Sequence, residues 1–412
     1  MRILYLHPIG ALGGAERSLL DIFAALRALE PSWELRLISG ADGALNREAE
    51  RLGVRTETLP LPDELLVLND SARGGSSGKV SAAFRLAKRA ALAGVGAKHC
   101  AAELRARIEE LKPDIVHSNG VKFHLLTRLM DPLRVPVVWH IRDFIGVRNA
   151  MRRALRWAAP AASLAIANSN AVAADARAVL RGVPIRTIFN CVDTERFSPG
   201  APSGASLDER SGIPAAEKGV LRVGLVASYA RWKGQDLFLK AAALLKEHAP
   251  DLCERFYIIG GPIHKTQGSQ FSVEELRKLT GELGIAENMG FVPFQDAPEE
   301  IYRALDVVVH CSTQPEPFGR TIAEAMSCGR AVVATLAGGA IELFRPGGDA
   351  MGVKPNDALE LARTIEELLR NPGLRESLGI NARRAALDRF SRARLGLELR
   401  DAYSSLIENS RA

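Results

Sequence analysis

Residues 316–335 read EPFGRTIAEAMSCGRAVVAT, which is a glycine-containing loop, a helical pattern and a β-branched run in succession. A short apolar run at 306–310 precedes the loop and is predicted to form a strand. Strand, helix and strand in this order build parallel sheets that are covered by helices on both faces. The segment therefore predicts an α/β fold, with Gly319 in the loop where the helix begins.

The same alternation runs along nearly the whole chain, so we predict two doubly wound, Rossmann-like domains. Strands are predicted at 2–6, 34–39, 115–118, 137–140, 164–168, 186–189, 222–227, 256–260, 306–310, 331–335 and 351–353. A cluster of proline, glycine and serine at 197–206 interrupts the pattern and is the predicted linker. The predicted domains are 1–196 and 207–390, which face each other across a cleft, and a helix at 391–412 packs back on the first. Ligands of such folds bind at the carboxyl ends of the strands.

The amino-acid composition limits the classes of protein to which the chain can belong. The chain has 412 residues, 47% hydrophobic and 25% charged, which is typical of a globular protein of about two domains. Its longest apolar stretch, about ten residues, is too short to span a membrane, and no signal-peptide core is visible. Five cysteines without a C-x-x-C pair favour reduced thiols, and we expect a cytoplasmic protein. The net charge of +6 favours phosphates, nucleic acid or an acidic membrane surface as partners.

Two predicted loops carry groups that suit a phosphate. The N–H groups of Gly319, Arg320 and Thr321 begin a helix and can hold an anion. Arg231 and Lys233 follow another predicted strand, where two cations offset the charge of a diphosphate. The alternative for this basic pair is a solvated loop.

A glycine-rich loop, GALGGAE at 10–16, follows the first predicted strand. Its spacing departs from the G-x-G-x-x-G of dinucleotide sites. An anion site at the start of a helix and a plain tight turn are both open for Gly13 and Gly14.

Two further side chains are candidates for chemistry. His140 ends a predicted strand of the first domain, where an imidazole can accept a hydrogen bond from a reacting hydroxyl group and move a proton near neutral pH. A hydrogen-bonded core histidine is the alternative. Glu324 lies in the helix that follows Gly319, and Thr321-Ile-Ala-Glu324 also fits a capping box, which needs no ligand.

In combination these segments resemble the retaining glycosyltransferases of family 4, which have the GT-B fold. The resemblance covers nearly everything from Arg2 to Leu406, and Glu316 and Glu324 match the E-x7-E pair of that family. It also rests on the segments IFNCVDTERFSP at 188–199, AGGAIE at 337–342, NAR at 381–383 and RF at 389–390.

The resemblance implies a UDP- or GDP-linked sugar donor that is held mainly by the second domain, with no metal ion or other cofactor and no nucleic acid partner. Lys233 would contact the diphosphate, Glu324 the ribose hydroxyls and Glu316 the sugar, and His140 would lie beside the reacting carbon. The remaining implied donor contacts are Gly13, Gly14, Arg231, Phe318, Gly319, Arg320 and Thr321. The implied acceptor-side residues are Glu16, Arg142 and Asp143.

The implied chemistry is transfer with retention, in which the departing phosphate helps to take the acceptor proton. Glu316 is then not a nucleophile. Two positions depart from the family pattern: Ser228 stands where relatives usually carry arginine, and Cys191 stands where glycine is usual. Arg231 is our candidate for supplying the missing charge.

The acceptor is a sugar, a glycolipid or a small molecule, and two interpretations stay open. Basic residues are frequent at 73–112 and again at 148–156, beside Trp157. They fit an anionic membrane surface near a lipid-linked acceptor, as in glycan, lipopolysaccharide or glycolipid synthesis, with the protein peripheral on the inner face of the membrane. They equally fit solvated helix faces or recognition of a soluble phosphorylated acceptor.

Three function classes follow, with the sugar transferase first. A nucleotide-sugar epimerase of GT-B fold comes second, and the pairing of Glu316 with Glu324 counts against it. A non-catalytic sugar-nucleotide binding protein comes third.

Overall fold

The computed structural model describes residues 1–62, 79–200, 204–217, 219–252, 254–262, 268–295 and 297–411, with backbone alone for 79–93 and 411. The chain divides into two units. Unit 1 comprises Met1–Phe189 and Arg392–Ala412, and unit 2 comprises Asn190–Ser391. Within the described part of the chain, no helix combines the length and the apolar character that crossing a membrane requires.

Unit 1 is built on a parallel sheet of seven strands in the order β3-β2-β1-β4-β5-β6-β7. The strands are β1 Arg2–His7, β2 Glu34–Ser39, β3 Arg55–Thr58, β4 Ile115–Asn119, β5 Val137–Ile141, β6 Leu164–Ala167 and β7 Ile185–Thr187. The helices along this part of the chain are α1 Gly14–Leu29, α2 Ala44–Arg51, α3 Lys79–Leu111, α4 Val121–Met130, α5 Asn149–Ala158 and α6 Asn170–Val179. The central strands read as nearly continuous apolar runs because helices cover both faces of the sheet.

Unit 2 is built on a parallel sheet of six strands in the order β10-β9-β8-β11-β12-β13. The strands are β8 Leu221–Val226, β9 Glu254–Ile259, β10 Met289–Val292, β11 Val307–His310, β12 Ala331–Thr335 and β13 Met351–Val353. The helices are α7 Gly204–Ser211, α8 Gln235–His248, α9 Val273–Glu282, α10 Pro298–Ala304, α11 Arg320–Ser327, α12 Ala358–Arg370 and α13 Pro372–Phe390. Each unit has its own buried apolar cluster against its sheet.

The predicted α/β class is therefore confirmed, and two strands that the sequence did not predict are added. β3 (RTET) is a polar strand at the edge of its sheet, so it lacks the apolar signal of a buried strand. β10 (MGFV) also lies at an edge, and Gly290 weakens its β pattern.

The predicted linker at 197–206 falls inside unit 2, since the change of unit comes at Phe189–Asn190. The Arg303 side chain explains why this segment stays with unit 2, because its Nε donates to the carbonyl oxygen of Ser198 at 2.8 Å. Phe197 also packs edge-on against Tyr302 of α10. Residues 201–203 of the predicted linker lie outside the described residues.

The last helix, α14 Arg392–Arg411, belongs to unit 1 and packs against α1. Leu395 and Leu399 are buried there, and Arg392 Nη2 donates to Asp21 Oδ1 of α1 at 2.7 Å. A helix from the far end of the chain thereby adds buried side chains to the first unit.

Candidate functional site

In unit 2, a buried carboxylate gathers polar partners beyond the end of β11. Glu316 Oε2 accepts hydrogen bonds from Lys233 Nζ at 2.6 Å and from Ser312 Oγ at 3.0 Å, and His310 Nε2 lies 3.2 Å away. Burial by itself would raise the pKa of Glu316, but the charge of Lys233 and the hydrogen bond from His310 lower it well below its usual range. Glu316 is therefore ionised at neutral pH and held in one position.

The backbone around Glu316 is fixed by a glycine turn. The N–H group of Gly339 donates to the carbonyl oxygen of Glu316 at 2.6 Å. Gly338 has φ +64°, and a Cβ atom there would lie 2.5 Å from the same oxygen. The Gly-Gly turn at 338–339 thus permits a close approach that other residues would block.

Lys233 and Arg231 lie in one short 3₁₀ turn before α8 but point to different partners. Lys233 Nζ lies 4.0 Å from the centre of the Trp232 ring, in addition to its ion pair with Glu316. The Arg231 guanidinium pairs with Glu275 at 2.7 Å and lies over the ring of Phe271. The structure therefore joins Lys233 to Glu316, while Arg231 is engaged by α9.

Glu324 does not form the capping box that its spacing allows. Helix α11 begins after Gly319, which has φ +98°, and no side chain caps it. Glu324 instead accepts hydrogen bonds from Arg320 Nε at 2.7 Å and from the hydroxyl group of Tyr302 at 2.8 Å. The Glu324 side chain is buried, and no side chain caps the start of α11.

Thr321 and Phe318, two other predicted site residues of this loop, lie in different surroundings. Thr321 is half-buried in the first turn of α11. Phe318 is buried and packs edge-on against Phe390 of α13, so the structure gives it a place in the core.

In unit 1, His140 ends β5 among polar groups from the neighbouring strand. His140 Nδ1 lies 3.2 Å from His117 Nε2 and 3.4 Å from Arg142 Nη2, and Arg142 Nη2 also donates to Asn119 Oδ1 at 3.2 Å. The Arg142 contact is at the long end of hydrogen bonding, and the His117 contact fits either tautomer of the two rings. His140 Nε2 is buried and has no hydrogen-bond partner among the described residues.

The surroundings of His140 decide its charge. Burial, then the charge of Arg142, lowers the pKa of His140 well below its usual range, so the ring is neutral at pH 7. A neutral ring with an unpartnered Nε2 atom can bond with a substrate group. The role of His140 beside the reacting carbon stays a prediction, and so does the alternative of a core histidine.

The glycine-rich loop has a clear structural role. Glu16 Oε2 accepts a hydrogen bond from the N–H group of Gly13 at 2.8 Å, which closes a box at the start of α1. Glu16 Oε1 pairs with His7 Nε2 at 2.7 Å. A Cβ atom on Gly14 would meet nothing within 4 Å, so the backbone is open on that side.

Asp143, the third residue expected on the acceptor side, is exposed and accepts a hydrogen bond from the N–H group of Phe144 at 2.8 Å. Sequence reasoning missed other polar residues at this edge of the sheet. Asn119 and Asn168 are buried, and Asn119 Nδ2 and Asn168 Oδ1 lack partners among the described residues. The sequence feature that could have identified these two asparagines is their place at the polar end of an otherwise apolar strand.

Only part of the predicted basic surface can be described. Residues 73–78 of the stretch 73–112 lie outside the described residues, as do the side chains of 79–93. Arg105 pairs with Glu109 at 3.0 Å, and Arg107 pairs with Glu57 at 2.6 Å. On α5 and just before it the situation differs, because Val147 and Trp157 are 78% and 53% exposed near a group of arginines. These are Arg148, Arg152, Arg153 and Arg156.

Comparison with known proteins supplies the family context. The family model "Glycosyltransferase Family 4" matches residues 12–196, and "Glycosyl transferases group 1" matches residues 208–385. The D-inositol 3-phosphate glycosyltransferase 1 of Catenulispora acidiphila is 30% identical over 317 residues, which are 72% of this chain and 73% of that protein. The D-inositol 3-phosphate glycosyltransferase of Salinispora arenicola is 33% identical over 225 residues, which are 52% of this chain and 48% of the relative.

A solved structure resembles the chain over nearly its full length. It is Anabaena HepE in complex with UDP-glucose, which is 26% identical with a TM-score of 0.77. The match covers 98% of this chain and 100% of that one.

Proposed function

Since the chain belongs to glycosyltransferase family 4 and is a glycosyltransferase of GT-B fold, we propose that it transfers a sugar from a nucleotide-diphosphate donor to an acceptor hydroxyl group. The donor binds mainly to unit 2. The observation that carries this proposal is the pairing of Lys233 with the buried carboxylate of Glu316, beside the uncapped start of α11. The likeness to HepE, solved with UDP-glucose, supports a UDP-linked sugar.

The proposed donor site assigns a different part of the donor to each of its groups. Lys233 and the N-terminus of α11 offset the negative charge of the diphosphate. Glu324 accepts hydrogen bonds from the ribose, and Glu316 accepts them from the sugar. Arg231 takes a smaller part, because its guanidinium group is directed to Glu275 and the ring of Phe271, whereas Lys233 is directed to Glu316.

The proposed reaction proceeds with retention and without a metal ion. The bond between the anomeric carbon and the diphosphate oxygen breaks as the acceptor oxygen approaches the same face of the sugar. An oxygen of the departing diphosphate takes the acceptor proton. Lys233 and the helix N-terminus stabilise the charge that develops on the leaving group, which is the task that a divalent cation performs in other enzymes.

His140 contributes a hydrogen-bonding group to this scheme. Its unpartnered Nε2 atom is buried in unit 1, so a substrate hydroxyl group that bonds with it removes an unsatisfied polar group. The acceptor-side groups near it are Arg142, Asn119 and Asn168.

The acceptor in this proposal carries a phosphate group. The four arginines at 148–156, three of them exposed, and the net charge of +6 suit an anion, and the names of both relatives contain D-inositol 3-phosphate, a phosphorylated molecule. The exposed Trp157 beside these arginines favours a phosphate at a lipid surface over a soluble one.

A donor panel tests the function. The melting temperature is measured with each of a set of UDP- and GDP-linked sugars, and the products formed without acceptor are followed by mass spectrometry and sugar NMR. Slow hydrolysis of one donor is expected. An isomerised sugar would instead indicate an epimerase, and binding without turnover would indicate a non-catalytic protein.

Vesicles test the form of the acceptor. Salt-sensitive co-sedimentation with acidic but not neutral vesicles is expected, with loss on reversal of Arg152 and Arg153 to glutamate. Release of the double variant with unchanged donor hydrolysis would support the lipid surface. Absence of binding at low salt would point to a soluble phosphorylated acceptor.

A further inference from the structure

A buried histidine at the end of the first strand pairs with the glutamate of the glycine-rich loop. His7 Nε2 lies 2.7 Å from Glu16 Oε1, and Glu16 Oε2 accepts from the N–H group of Gly13 at 2.8 Å. His7 and Glu16 are 3% and 5% exposed. His7 Nδ1 is buried and has no hydrogen-bond partner among the described residues, so the pair leaves one polar atom of the ring over.

The carboxylate decides which nitrogen of His7 carries the proton. Burial by itself would raise the pKa of Glu16, but the hydrogen bond with His7 lowers it below its usual range, so Glu16 is ionised at neutral pH. An ionised carboxylate can only accept hydrogen bonds, so His7 Nε2 must donate. In the neutral ring, Nδ1 is then a hydrogen-bond acceptor, which is unfavourable in a buried place until a donor reaches it.

A free donor ends the neighbouring strand. β1 and β4 pair in parallel, and their register places their last residues, His7 and Asn119, side by side. The two residues share a face of the sheet, because Tyr5 and His117, two positions earlier on each strand, stack their rings there. Asn119 Oδ1 accepts from the Arg142 guanidinium at 3.2 Å, so Nδ2 is the amide atom that has no partner among the described residues.

An acceptor beside a donor suits hydroxyl groups, because each hydroxyl group can both donate and accept. A fully ionised phosphate only accepts, so it would leave His7 Nδ1 unsatisfied. His140, which lies opposite Asn119 on the next strand, adds a third buried atom without a described partner, Nε2. Three such atoms on three successive strands suit a ring that carries several hydroxyl groups.

We propose that His7 is a substrate-binding residue whose Nδ1 atom accepts a hydrogen bond from a hydroxyl group of a sugar or cyclitol ring, and that Glu16 is the positioning residue that keeps this atom an acceptor. This rests on the proposed function in so far as a substrate ring reaches unit 1. The polarity of His7 is a property of unit 1 alone. The ring belongs either to the donor or to the acceptor, and kinetics separate the two.

Imidazole nitrogen NMR measures the polarity of His7 without any substrate. In protein labelled with ¹⁵N-histidine, we expect His7 to show one protonated nitrogen, Nε2, and the His7→Asn variant identifies its signals. In Glu16→Gln, the amide oxygen of the new side chain takes the Gly13 N–H group and its NH₂ group faces His7, so the proton should move to Nδ1. A wild-type His7 protonated on Nδ1, alone or together with Nε2, would overturn the proposal, and this result needs no variant to fold. A proton that stays on Nε2 in Glu16→Gln would overturn the role of Glu16.

Kinetics of Glu16→Gln test the contact with the ring. Consumption of the nucleotide sugar that the donor panel selects is measured with water as the acceptor, and then with myo-inositol or methyl glucoside as ring alcohols. We expect kcat/KM to fall roughly fivefold to a hundredfold, because Nδ1–H can no longer accept. A fall in both assays assigns the contact to the donor sugar, and a fall with the ring alcohols alone assigns it to the acceptor.

Glu34→Gln is the matched control, because it makes the same chemical change at the amino end of β2 in the same unit. Its kcat/KM should be that of the wild type in both assays. Unchanged hydrolysis in Glu16→Gln, with transfer to the ring alcohols that is unchanged or absent from the wild type, would overturn the proposal. Failure of every nucleotide sugar to bind would count against the proposed function and leave the NMR result standing.

Discussion

Because Lys233 forms an ion pair with Glu316, we expect this one lysine to affect both donor use and protein stability. Lys233→Ala removes a charge-assisted contact of about 1.5 to 3 kcal/mol to the donor, which lowers kcat/KM roughly tenfold to a hundredfold. It also leaves the buried carboxylate of Glu316 with less compensation. Lys240→Ala, at an exposed lysine of the same unit, should change neither quantity. Steady-state kinetics of both variants check the first effect, and wild-type kcat/KM in Lys233→Ala would refute the contact.

The stability effect of the same change depends on pH. The pKa of Glu316 is lower in the folded than in the unfolded protein, so ionisation stabilises the fold above the unfolded pKa of about 4.3. This contribution is lost as pH falls through the folded pKa. The wild type should therefore exceed Lys233→Ala in free energy of unfolding by roughly 1 to 3 kcal/mol near pH 7, with a smaller difference below about pH 4. Urea unfolding at both pH values measures it, and a gap that widens in acid would contradict the assignment.

Glu324 is predicted to act on the ribose, and its partner Tyr302 provides the control. Glu324→Gln keeps the shape of the side chain but removes the charge, so donor KM should rise severalfold to tenfold with little change in kcat. Tyr302→Phe removes a hydrogen bond to the same carboxylate and should cost about 1 kcal/mol of stability with nearly unchanged donor KM. Equal KM values for the two variants would assign Glu324 a structural role.

At the scale of elements, the start of α11 depends on one backbone conformation. Gly319 has φ +98°, and an added Cβ atom would lie 2.9 Å from Ile322 Cδ1. Gly319→Ala should therefore cost about 1 to 2 kcal/mol of stability and raise donor KM, because the loop that begins the helix must shift. Gly281→Ala, inside α9 and clear of neighbours, should be neutral or stabilising by up to about 1 kcal/mol. Thermal unfolding and donor titration of both variants check this.

Strands with a clear apolar pattern could be predicted from the sequence, whereas the two edge strands β3 and β10 could not. The bounds of β2, β12 and β13 match their predictions because β-branched or apolar runs are bounded by turn residues. β3 and β10 carry weak patterns, because β3 is made of polar residues and Gly290 interrupts β10. Glu324 shows the same limit inside the site, because its spacing fits a capping box and only the fold shows that Tyr302 and Arg320 bind it.

At the scale of the molecule, contacts between segments that are far apart along the chain could not be predicted from the local sequence. The stretch 115–119 ends in polar residues, which marks His117 and Asn119 as unusual in a buried strand. Nothing in the local sequence marks Tyr403, whose partner His117 is 286 positions away. Predicting α14 as a returning helix was within reach, but its hydrogen bonds to the first unit required the folded chain.

The two separate cores predict that damage to α14 stays within unit 1. Leu399 is fully buried in that unit, so Leu399→Ala should cost about 2 to 5 kcal/mol through lost burial and a cavity. Leu397 lies on the same helix but is 43% exposed, and Leu397→Ala should cost under about 0.5 kcal/mol. Hydrogen exchange followed by mass spectrometry separates the outcomes: amides of β1 and α1 should lose protection in Leu399→Ala, while those of β8 and β11 keep it, because α14 belongs to unit 1 and packs against α1. Protection lost equally in both sheets would mean that the chain unfolds as one cooperative body.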